Sequence, residues 1–71
     1  MKEMDPGFAR LLKKVRADLS LSQEDLARQL NVSFATVNRW ENNQVKPSKL
    51  ARIQFESFHK RMIQSGRITR E

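Results

Sequence analysis

Apolar residues recur every three or four positions along most of the chain. Phe8, Leu11, Leu12, Val15 and Leu19 form one such run, Leu26, Ala27 and Leu30 a second, Val37 and Trp40 a third. A longer fourth run extends from Leu50 to Ile63. This is the helical period, and no stretch alternates long enough to make a half-buried strand. Start and stop signals frame each run. Asp5-Pro6 reads as a cap followed by the first helical position, so helix 1 is expected at about 6–18. Ser20 and Leu21 form a short connection. In the stretch SQED, Ser22 can cap and Asp25 stands where a capping box needs an acid. Glu24 and Asp25 also suit the positive end of a helix dipole, placing helix 2 at about 23–30. Asn31 tolerates the left-handed conformation that ends many helices. Val32 is expected as a plug under the junction, and Ser33 as the next cap. Helix 3 is expected at about 34–42, closed by Asn42-Asn43, with one Asn standing where a glycine would be easier. Gln44 to Pro47 reads as a loop with Val45 as its inward anchor. Ser48 caps a helix that runs to about Ser65. Gly66 ends it, and RITRE reads as a frayed basic tail.

The fold class implied is all-α, with residues 1–71 as one domain. Two short helices joined by Asn31-Val32-Ser33 make a helix-turn-helix arrangement over about 22–42. An ordinary three- or four-helix bundle is the plainer alternative. Helix 3 has only Val37 and Trp40 as strong core residues. Phe34, Ala35, Thr36, Asn38 and Arg39 have no obvious place in a core.

Size and composition narrow the function. A 71-residue chain buries only about 60% of its unfolded surface, which leaves little room for a deep catalytic cleft. There is no cysteine, hence no disulfide framework or thiolate metal site. No apolar run approaches the ~20 residues of a membrane helix, and MKEMDPGF lacks the apolar core of a signal peptide. A soluble cytoplasmic protein with no membrane partner is the expectation. Fourteen Lys and Arg oppose eight Asp and Glu, for a net charge of +6. The excess lies in the second half: six basic and five acidic residues occupy 1–33, eight and three occupy 34–71. Such a half attracts polyanions, or it only keeps the chain soluble. His59, the single histidine, has neither a cysteine nor a second histidine to join it at a metal. No phosphate loop, ligand cluster or nucleophile–base pair appears, so no enzyme activity, metal or cofactor is expected.

The stretch LSQEDLARQLNVSFATVNRWENN resembles the Cro and phage-repressor helix-turn-helix family, also called the xenobiotic-response-element family. The elements that carry the resemblance are LSQEDLA, the turn and capping serine in NVS, the TVNRWE core and a proline soon after. It covers about 15–47. It implies a small lambda-repressor-like bundle of four or five helices, with the N-terminal part of helix 3 in the DNA major groove and helix 2 across the backbone. It implies a homodimer on two half-sites about one helical turn apart, in a cytoplasm of bacterial or phage type. Gln23 matches a glutamine that contacts a phosphate and braces the recognition helix. Ser33 opens that helix, and Phe34, Ala35, Thr36, Asn38 and Arg39 fall on DNA-facing positions. Asn42, Asn43 and Lys46 match a loop that meets phosphates, and Arg16 and Glu41 a charged pair tying helix 1 to helix 3. Two departures stand out. Asn43 replaces the usual glycine after helix 3, and one unbroken helical pattern follows Ser48 where the family often has two helices.

Each of these residues also has a second reading. Arg39 can bond guanine at two acceptors, or hold a phosphate. Asn38 can read adenine, though a phosphate is favoured. Phe34 can touch a thymine methyl or act as a hydrophobic staple. Ala35 and Thr36 are small and can also meet a thymine methyl. Trp40 is expected in the core, since it faces the same way as Val37, with stacking on bases as its alternative. Lys49, Arg52, Lys60 and Arg61 extend the phosphate-binding face or lie solvated. Ala51, Phe55, Phe58 and Met62 are spaced 4, 3 and 4, a narrow seam that suits a second chain across a dimerisation helix 48–65; the plainer alternative is a helix lying wholly against its own core. Leu50 and Ile53 are expected to face the domain's own core. The function expected is a sequence-specific regulator of transcription on double-stranded DNA, of the repressor kind. The alternative is an antitoxin or adaptor module whose main partner is another protein.

Overall fold

A computed structural model describes residues 6–68. They form four helices: α1 Pro6–Leu19, α2 Gln23–Leu30, α3 Phe34–Glu41 and α4 Lys49–Gln64, with no strand among the described residues. The expected cap Asp5 and the end of the basic tail lie outside the described residues.

Serine starts three of the helices. The Ser22 hydroxyl accepts from the Asp25 backbone N–H at 3.0 Å, and the Asp25 carboxylate accepts from the Ser22 N–H at 3.1 Å, which completes the capping box. These bonds from Ser22 hold the Asp25 carboxyl below its ordinary range. Ser33 accepts from the Thr36 N–H and Ser48 from the Ala51 N–H in the same way. Every helix then ends in one geometry. A residue of positive φ follows it: Ser20 (57°), Asn31 (60°), Asn43 (57°) and Gly66 (82°). The next amide reaches back to a carbonyl in the last turn: Leu21 to Arg16, Val32 to Ala27, Gln44 to Arg39 and Arg67 to Met62. This is the Schellman motif. Only one of the four posts is glycine, the residue that takes this conformation without a Cβ penalty.

Phe8 on α1 joins three helices. Its ring meets Trp40 of α3 edge-on at 5.6 Å and Phe55 of α4 edge-on at 5.4 Å. Leu12, Val15 and Leu19 of α1, Leu26, Ala27 and Leu30 of α2, Val37 of α3, Phe58 of α4 and Ile68 beyond it complete the core around them. Val32 is partly buried against this core, under the α2–α3 junction as expected.

Three expectations are corrected. The two apolar stripes of α4 are reversed. Phe55 and Phe58 are 0% and 2% exposed inside the chain's own core, and Ala51 and Met62 pack against that core. Leu50 and Ile53, expected inside, are 65% and 52% exposed. The cause is volume. One helix presents one face inward, and two phenyl rings bury more apolar area than a leucine and an isoleucine. The 51–55–58–62 seam is therefore not available to a second chain. Val45 is exposed, and Pro47 is the residue the α3–α4 loop buries. A loop of this length has one inward position, and the ring next to the Ser48 cap takes it. Finally, Ile68 is not part of a frayed tail. It is buried in the core cluster, because the turn at Gly66 folds the chain back over the end of α4, where the Ile68 N–H reaches the Met62 carbonyl at 3.3 Å.

Phe55→Ala should therefore cost about 3–5 kcal/mol in a urea titration, while Ile53→Ala should stay within about 0.5 kcal/mol. Ser20→Gly relieves a left-handed serine and should raise stability by roughly 0.5 kcal/mol despite the added freedom of the unfolded chain.

Candidate nucleic-acid interface

Glu41, the last residue of α3, is the one charged side chain buried among the described residues, at 4% exposure. A lone buried carboxylate would be costly, and this one is met from two helices. Arg16, in the last turn of α1, donates from Nε to Oε2 at 2.7 Å and from Nη2 to Oε1 at 2.9 Å, a bidentate pair. Gln23, which opens α2, donates from Nε2 to Oε1 at 3.0 Å. The third Arg16 nitrogen donates to the Leu21 carbonyl at 3.2 Å, tying the α1–α2 connection into the same knot. Burial pushes the Glu41 carboxyl up. The hydrogen bonds from Arg16 and Gln23, with the charges of Arg16 and Lys13, more than offset this and hold it below the ordinary range. The bond to Glu41 raises Arg16 in turn, against a smaller opposing effect of burial. No buried side-chain nitrogen or oxygen among the described residues lacks a partner.

This knot and the inward pair Val37 and Trp40 fix the rotation of α3 about its axis. Phe34 (51% exposed), Ala35 and Arg39 then stand out from the molecule, with Thr36 and Asn38 half-buried beside them. Asn42 and Lys46 are exposed and Asn43 half-buried where the chain leaves α3, and Gln23 is half-buried at the start of α2. The residues expected to face DNA thus share the outer side of α3 and its flanks. Two couplings among them were not anticipated. The Ser33 and Thr36 hydroxyls lie 2.9 Å apart, and Asn42 Nδ2 donates to Asn38 Oδ1 at 3.2 Å. The signal was present in the sequence: small polar residues three and four positions apart face each other on a helix.

The basic residues of α4 divide. Lys49, Lys60 and Arg61 are exposed, but Arg52 is half-buried with its guanidinium 5.3 Å from the centre of the Phe8 ring. His59 stacks on Phe55 at 5.7 Å. No three His, Cys, Asp or Glu side chains among the described residues come together as a metal site would need. No helix among them is long and apolar enough to cross a membrane.

The knot has a pH signature. The stability contributed by Glu41 is complete above the unfolded glutamate value of about 4.3 and is lost as pH falls through its lower folded value. Glu41→Gln should cost about 2 kcal/mol at neutral pH, since Arg16 keeps some contact with solvent after losing its partner. In thermal melts at successive pH values, the gap between the variant and the wild type should narrow below pH ~4.

A helix-turn-helix family model matches residues 12–51, more than half of the chain. No curated protein and no solved structure gives a significant match. The matched span runs from the middle of α1, through α2, the turn and α3, to the start of α4, and so contains the whole Arg16–Glu41–Gln23 knot. The chain belongs to the helix-turn-helix family of Cro and phage-repressor type, a DNA-binding regulatory domain.

Proposed function

We propose that this protein is a sequence-specific regulator of transcription on double-stranded DNA, of the repressor kind, working in the cytoplasm as a pair of identical copies. The observation that carries the reading is the outer face of α3. A helix of eight residues, too short to be stable alone, is fixed by a buried ion pair, yet keeps a phenyl ring, a methyl group and an arginine exposed. In this reading α3 enters the major groove with Phe34, Ala35 and Arg39 toward base edges. Gln23, Asn42, Asn43 and Lys46 meet phosphates on either side, and the basic second half of the chain supplies the salt-dependent attraction.

Two copies on a symmetric site need a contact between them. Leu50 and Ile53 are the apolar residues that α4 leaves outside the core, and they replace the buried 51–55–58–62 seam as the surface proposed for it. The same pair favours the second reading, in which the main partner is a different protein and the chain acts as an adaptor or an antitoxin.

Titration against selected and random duplexes at several salt concentrations tests the first reading. A selected duplex should bind at least tenfold (~1.4 kcal/mol) better than random sequence, with affinity falling steeply as salt rises. Equal affinity for every sequence would contradict the proposal. Arg39→Ala should relax preference at one base position, whereas Lys46→Ala should weaken all duplexes alike. Ile53→Asp should lower the sedimenting mass to that of one chain; an unchanged mass would remove α4 as the contact between copies.

A further inference from the structure

The five side chains on the outer face of α3 are divided by their hydrogen bonds. To read adenine, an asparagine must donate to N7 and accept from the N6 amino group at the same time. The Asn38 carbonyl oxygen already accepts from Asn42 Nδ2 at 3.2 Å. That bond takes one of the oxygen's two lone pairs and ties the amide to the next turn of the helix, while the Asn38 amide nitrogen makes no bond within the described residues and is a donor that suits a phosphate oxygen. Thr36 is occupied similarly, with its hydroxyl 2.9 Å from that of Ser33. The remaining three side chains are uncommitted. Among the described residues the Arg39 guanidinium has no hydrogen-bond or ion-pair partner. Phe34 is half exposed outside the core, and Ala35 is exposed one position further on. Phe34 and Ala35 carry no polar side-chain atom, so the one feature of the major groove they can distinguish is an apolar one, the thymine 5-methyl group. Arg39 carries donors only, and its planar fork matches the O6 and N7 acceptors of guanine.

We infer that the half-site read by this helix is a guanine met by Arg39 beside thymine methyl groups met by Phe34 and Ala35, and that Asn38 positions the helix without reading adenine. This rests on the DNA-binding reading above. Spacing limits how far apart the bases lie. Ala35 and Arg39 are four residues apart on one helix face, about 6 Å along the axis at 1.5 Å per residue. That is about two base-pair steps of 3.4 Å. The thymine and the guanine therefore fall within about two base pairs of each other.

The test uses the full chain and a duplex enriched from a random pool. Each thymine is replaced in turn by deoxyuridine, which removes only the methyl group, and each guanine by 7-deazaguanine, which removes only the N7 acceptor. Wild-type affinity should fall at least threefold at one or two deoxyuridine positions and at one 7-deazaguanine within two base pairs of them. Phe34→Ala, a change outside the core, should bind the thymine and deoxyuridine duplexes equally at one of those positions. Asn38→Ala should weaken all duplexes by the same factor. Undiminished wild-type binding to a duplex with every thymine replaced would overturn the methyl-reading inference while leaving DNA binding intact. Loss of preference at an adenine in Asn38→Ala would overturn the role given to Asn38. Failure to enrich any duplex would contradict the DNA-binding reading itself.

Discussion

The Glu41 carboxylate is the point on which the arrangement of the first three helices depends. It lies at the end of α3, receives two hydrogen bonds from α1 and one from α2, and is almost fully removed from water. A buried charge adds little net stability compared with an apolar residue of the same size, but it is unforgiving about geometry. The helix cannot rotate or slide without leaving a desolvated carboxylate unpaired. Apolar packing alone would not enforce this, because α3 contributes only Val37 and Trp40 to the core. The proposed function needs that constraint, since side chains that read bases must be held in place while making little contact with their own protein.

The rest of the molecule supplies what the knot does not. Phe8 ties α4 and α3 to the start of α1 through two edge-on ring contacts. Serine caps and Schellman turns satisfy the backbone groups at the helix ends. Three left-handed posts that are not glycine are tolerated because each is over-determined by the bonds on both sides of it. On the outer face of α3 the polar residues are paired with one another, Ser33 with Thr36 and Asn38 with Asn42, while Phe34, Ala35 and Arg39 are not. The paired residues stand three and four positions apart, the spacing at which side chains face each other on a helix.

Much of the fold was legible in the sequence because its signals are local. Ser22, Ser33 and Ser48 start helices, and Asn31 and Asn43 end them, through bonds that span at most five residues. The inward direction of α3 followed from the three-residue spacing of Val37 and Trp40. Arg16 and Glu41 lie 25 positions apart, and only the family resemblance brought them together. The rotation of α4 was not legible. Its two apolar stripes have the same period, and the choice between them depends on the space left by α1 and α2, which no local pattern records. Val45 and Ile68 failed for a related reason. Whether a lone apolar residue in a loop or tail is buried depends on where a turn aims it, here the turn at Gly66 in the case of Ile68.

In the proposed function α3 and its flanks meet DNA, while the exposed strip of α4 serves contacts with protein. Amide chemical shifts of the isotope-labelled chain, followed as an enriched duplex is added, test this most directly. Shifts should concentrate on residues 34–39, on Gln23 and on residues 42–46, with little change in the core at Phe55 and Phe58. Shifts that cluster along α4 while residues 34–39 stay unmoved would contradict it.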